Sequence, residues 1–130
     1  MKHVLNNNRG QAIVEFVLII PLVFLLIFGL LETGRFLHAA YEVEHGSREG
    51  ARMGAIGGSD IDIQSAVVDS TSGLDQTRIS IQVTPTGSIR HSGDRLQVIV
   101  TYKFMPITPF VDRLFSNEMN ISGTTSMRVE

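Results

Sequence analysis

Residues 12–31 read Ala12-Ile13-Val14-Glu15-Phe16-Val17-Leu18-Ile19-Ile20-Pro21-Leu22-Val23-Phe24-Leu25-Leu26-Ile27-Phe28-Gly29-Leu30-Leu31. Twenty residues of helix rise about 30 Å, the thickness of a bilayer's hydrocarbon core. One acid, Glu15, interrupts the run near its start. Pro21 removes one backbone donor, a loss that transmembrane helices tolerate better than soluble ones. A buried core helix this apolar would need a large soluble body around it, and 130 residues do not supply one. A cleaved secretory signal fits poorly as well. Its apolar core spans about 7–15 residues before a small-x-small site, whereas this run is longer and ends in Leu31-Glu32-Thr33-Gly34-Arg35.

Upstream, Met1 to Gly10 is polar and carries Lys2 and Arg9 but no acid. Basic residues flank the other end too, at Arg35 and Arg48, so counting basic residues does not settle the orientation, and the acid-free leader alone leans toward a cytoplasmic N-terminus. Glu15 sits about one turn inside the span. An acid at the bilayer centre costs about 2.5–3.5 kcal/mol and less near the edge. Two readings of Glu15 stay open: a functional carboxylate awaiting a partner, or a side chain resting at the headgroup level.

The formal net charge of −2 gives no basis for capture of nucleic acid. Without cysteine there is neither a disulfide framework nor a thiolate metal site. No phosphate loop or nucleophile elbow is present, and no nucleophile stands beside a base. His38, Glu42 and His45 share one helical face at spacings that suit zinc. Exposed helix faces also carry such residues by chance, and no cofactor is expected.

From Glu32 to about Met53 no proline intervenes, so the helix is expected to continue past the span. Glu44 and Arg48 have the favourable i,i+4 order, and Glu49 can screen Arg48 from Arg52. Gly46, Gly50 and Gly54 recur every four residues beside Ser47, Ala51 and Ala55. They form a smooth face on which another helix can lie closely, although each helical glycine costs about 1 kcal/mol relative to alanine. The alternative is that they fray the helix before Gly57-Gly58.

Ser59-Asp60-Ile61-Asp62 has the form of a capping box. Ile63, Ala66, Val67 and Ser70 then share one face of a short helix that Ser72-Gly73 ends. Three stretches alternate with period two: Ile79 to Thr84, Leu96 to Phe104, and more weakly Ile121 to Val129. Each is a strand with one buried face. Pro85-Thr86-Gly87 and Ser92-Gly93-Asp94 suit antiparallel joins. The segment Met105 to Phe115 is unusually apolar for a loop, with Phe110 and Leu114, and Val111 and Phe115, at helical spacing. It either closes the core or touches lipid or a neighbouring subunit.

The predicted fold is therefore α+β: a long N-terminal transmembrane helix, a short amphipathic helix and a three-stranded antiparallel sheet. The expected divisions are a leader at 1–10, the membrane helix at 11–34, a helical extension at 35–58 and a small body at 59–130. The body is expected to fold without the membrane helix and to be marginally stable.

Arg9-Gly10-Gln11-Ala12-Ile13-Val14-Glu15-Phe16 resembles the processing site of a type IV prepilin, and Glu15-Phe16 resembles the variant in TadE-like pseudopilins of the Flp (tight adherence) pilus system. Leu31-Glu32-Thr33-Gly34-Arg35, Ser47-Arg48-Glu49-Gly50-Ala51-Arg52 and the tail Thr124 to Glu130 are similar to that family's stretches. A polar Gln11 departs from the usual phenylalanine or small residue. The resemblance implies a pilin-like fold and a structural, non-enzymatic role in pilus biogenesis. It implies cleavage between Gly10 and Gln11 by a prepilin peptidase, with Glu15 and Phe16 serving assembly. The implied partners are that peptidase, other pilins, the assembly machinery and membrane lipid, with no small-molecule substrate. The implied location is the bacterial cytoplasmic membrane, with the N-terminus cytoplasmic and the body outside, or the pilus itself. The alternative is an uncleaved single-pass anchor that presents a small binding domain.

Overall fold

The computed structural model describes residues 8–108 and 118–130. Helix α1 runs unbroken over Asn8–Ala55, with Pro21 inside it. Gly57 adopts φ +86° and closes the helix: Gly57 N donates to Gly54 O and Gly58 N to Met53 O. These two bonds cap orphan carbonyls in the left-handed manner that glycine permits without strain. The glycines at 46, 50 and 54 therefore lie within the helix.

Helix α2 spans Asp60–Ser70. Its capping box is complete: Asp62 N donates to Ser59 Oγ at 3.2 Å, and Ser59 N to Asp62 Oδ2 at 2.9 Å. Ile63 and Val67 are its buried residues. Strands β1 (Ile79–Thr84), β2 (Arg95–Phe104) and β3 (Met119–Arg128) form one antiparallel sheet in the order β1-β2-β3. Val98 pairs with Val83 on one side and with Thr125 on the other. The expected α+β class and order of elements are the ones observed. The pairs Phe110–Leu114 and Val111–Phe115, and leader residues 1–7, lie outside the described residues.

Both helices pack on one face of the sheet. The alternation of β2 buries Leu96, Val98, Val100, Tyr102 and Phe104 together with Ile63 and Val67 of α2 and Ala39, Val43 and Ala51 of α1. Residues 36–55 thus supply a layer of the core shared with residues 59–130. The strands lie along α1. Gly54 faces Leu96, Gly50 faces Val98, and Phe36 meets Phe104 edge-on at 5.5 Å between ring centroids. From Phe36 to Gly54 the helix rises about 27 Å, and from Phe104 to Leu96 the strand rises about 26 Å. β2 therefore runs antiparallel to α1, and β3 runs with it.

Candidate assembly and anchoring surface

The first three turns of α1 hold the residues singled out for processing and assembly. Gln11 and Glu15 are exposed, and Phe16 is 65% exposed. The Gly10–Gln11 bond lies in the first turn of the helix, where backbone N–H groups lack intrahelical partners and the end frays readily.

From Ile13 to Leu31 almost every large apolar side chain remains exposed, on all sides of the helix. Among the described residues this is the one helix long and apolar enough to cross a membrane. Water would penalise so much apolar surface, whereas a bilayer or a helix bundle would cover it. The N-terminal half of α1 thus fits a membrane anchor.

The glycine-lined face of α1 sits in the crevice between α2 and the sheet. A Cβ added at Gly46 would come 2.8 Å from Thr71 Cγ2, and one at Gly50 would come 2.7 Å from Val67 Cγ2. At Gly54 it would run into Leu96 and Ile63. The small residues allow the close approach of α1 to α2 and β2 within one chain.

The charged residues along α1 resolve into local ion pairs, with Glu42 turned inward against Gly73 rather than lying on the outer face. Arg48 meets Glu44 at 3.0 Å and Arg52 meets Glu49 at 2.8 Å. The hydrogen bonds from Arg52 hold the Glu49 carboxyl below its ordinary range. His38 Nε2 lies 3.1 Å from Glu42 Oε1, while His45 stacks on Tyr41. These three residues do not converge, and among the described residues no cluster of three His, Cys, Asp or Glu side chains could hold a metal ion.

Sequence reasoning missed three tertiary ties. Arg90 is almost fully buried, pairs with Asp60 and donates to Gly58 O and Pro85 O, pinning the β1–β2 connection to the start of α2. Ser47 bonds Thr125 across the interface of α1 with β3. Glu32, read from the sequence as the end of the apolar run and as part of a family-like stretch, accepts from Ile107 N and Thr108 Oγ1 and pairs with Arg35 at 2.7 Å. A lone acid directly after a membrane-length run was the available clue for Glu32. For the other two the sequence carries no local signal.

A family model described as TadE-like protein matches residues 10–52, which are 43 of the 130 residues. This is the family that the sequence resembles. The match runs from Gly10 through the exposed helix and most of the glycine-lined stretch. No curated protein and no solved structure matches the chain.

Proposed function

We propose that this protein is a minor pilin or pseudopilin in the biogenesis of a Flp-type (tight adherence) pilus. It enters the cytoplasmic membrane with its leader inside and its α+β body outside. A prepilin peptidase removes Met1 to Gly10, and the processed chain joins other pilins or the assembly machinery through α1. Its role is structural and it catalyses no reaction. The observation that carries this reading is the TadE-like match beginning at Gly10 and covering the exposed helix with Glu15 near its start. The packed body on the same helix accords with it, since one face of the α1 extension is already consumed by α2 and the sheet.

The mature N-terminus tests the proposal. The 130 residues weigh 14.3 kDa, so loss of ten lowers the mass by about 1.1 kDa. Intact-mass analysis of the membrane fraction, after co-expression with the peptidase, should find a chain starting at Gln11. Gly10 replaced by a bulkier residue should keep the full mass. A wild-type chain that retains Met1 would be an uncleaved anchor, and one beginning beyond Leu31 would be a secreted protein.

A further inference from the structure

The point where α1 leaves a bilayer can be located on the molecule. The apolar run ends at Leu31, and the next residue, Glu32, is the first ionisable side chain after Glu15. If Ala12 to Leu31 fills the hydrocarbon core, Glu32 stands in the adjoining headgroup layer, which is about 5–7 Å deep. The body returns to that level. β2 descends along α1 to Phe104 beside Phe36, and Met105-Pro106-Ile107-Thr108 continues to Glu32. Ile107 N lies 3.3 and 3.4 Å from the two Glu32 carboxylate oxygens, and Thr108 Oγ1 lies 3.1 Å from one of them. Arg35 Nη1 completes the cluster at 2.7 Å.

The clamp leaves an isoleucine out. Thr108 is 9% exposed and Phe104 is buried, but the Ile107 side chain between them is 72% exposed, and Met105 is partly exposed. Ile107 thus stands exposed beside Glu32, one residue past the exposed apolar run of α1 that ends at Leu31. Water would reward no such placement, whereas the boundary between headgroups and acyl chains accepts apolar side chains whose backbone polar groups are satisfied. Glu32 satisfies that backbone donor. Arg35 keeps its guanidinium on Glu32 and over the Phe104 ring, 5.2 Å from its centroid.

We propose that Met105–Thr108 is a lipid-contacting foot. Glu32 holds this segment against α1 so that Ile107 inserts at the bilayer surface and fixes the upright posture of the body. The inference rests on α1 as the membrane span, and the occupant is the phospholipid bilayer itself.

The chain contains no tryptophan, so a single introduced one reports its own surroundings. Three full-length variants, Ile107→Trp, Phe24→Trp and Ile61→Trp, are reconstituted into phosphatidylcholine vesicles with or without acyl-chain bromines. Ile61 lies at the far end of the body and is 78% exposed, which makes it the aqueous reference. Bromolipid should quench Phe24→Trp strongly. It should also quench Ile107→Trp, most when the bromines lie near the headgroup, and leave Ile61→Trp unaffected. Adding Glu32→Ala to Ile107→Trp should abolish most of that quenching, while Glu32→Gln, which still accepts hydrogen bonds, should preserve more of it. If Ile107→Trp emits as in water while Phe24→Trp is quenched, the foot is wrong and the membrane span stands. A blue-shifted but unquenched Ile107→Trp would mean that protein covers it and would also overturn the proposal. Failure of Phe24→Trp to be quenched would overturn the membrane span and the foot together.

Discussion

Ser47 Oγ and Thr125 Oγ1 lie 2.7 Å apart, joining α1 to β3 across 78 residues of sequence. Ser47 is fully buried and its hydroxyl donates to Glu44 O at 2.9 Å, so Thr125 supplies the proton of the inter-element bond. Beside this pair the two backbones nearly touch: a Cβ at Gly123 would come 2.8 Å from Val43 O and 2.9 Å from Glu44 Cα. Replacing Ser47 by alanine should cost about 1–2 kcal/mol, since Thr125 loses its acceptor in a partly buried site. Gly123→Ala should cost about 1–3 kcal/mol, because helix backbone cannot yield as a side-chain tip can. Urea unfolding of the body would check both. A Gly123→Ala protein as stable as wild type would mean that β3 sits farther from α1 than the structure places it.

Truncation should expose how far α1 belongs to the body. A chain beginning at Arg35 keeps Ala39, Val43 and Ala51 in the core and should fold, melting cooperatively below the hyperstable mark of about 90 °C. A chain beginning at Ser59 loses that layer and uncovers Val67, Val98 and Leu96. Contrary to the expectation from sequence that residues 59–130 fold as a unit, it should lack a cooperative melt and bind apolar dyes. Circular dichroism on the two chains decides the matter, and a cooperative melt of residues 59–130 alone would show that the α1 layer is dispensable.

Acid should weaken the body through its caps. Hydrogen bonds from the Ser59 side chain and backbone hold the Asp62 carboxyl below its ordinary value, and the Thr77 hydroxyl and backbone N–H do the same for Asp75. A folded-state pKa below the unfolded one means stability that is present above the unfolded value, about 4, and lost as pH falls through the folded value. Both carboxylates are solvated, so the effect is modest. Melting temperature should be flat from neutral pH to about 5 and fall below 4. Asp62→Asn should melt lower at pH 7 and show a shallower acid decline. An unchanged acid slope in that variant would remove the α2 cap as a source of the acid sensitivity.

Glu15 carries the assembly prediction. Cleavage after Gly10 would create an ammonium at Gln11, about 6 Å along the helix from Glu15. Within one chain the axis keeps them apart, but a neighbouring subunit displaced along the bundle can bring its amine to this carboxylate. Such a pair offsets two desolvation costs and sets axial register. Glu15→Ala or Glu15→Gln should therefore block co-purification and crosslinking with other pilus components. Membrane insertion should be unharmed or slightly improved. A processed Glu15→Ala chain that co-assembles normally would leave the carboxylate as a residue tolerated at the headgroup edge.

What the sequence by itself determined is local. The membrane-length run, the i,i+4 pair of Glu44 with Arg48, the capping box of Ser59 and Asp62, and the period-two strands are all written within a few residues of one another. Helix rise, capping geometry and the pleat convert such spacing directly into structure. Tertiary structure decided the rest. That the glycine face meets α2 and β2 of its own chain, that Gly123 must lack a side chain, and that Arg90 reaches Asp60 all depend on how the sheet lies along α1. Glu32 meets Thr108 across 76 residues for the same reason. No local spacing encodes such a meeting, because it follows only once burial of the alternating face of β2 has laid that strand down the helix and carried its end to Glu32.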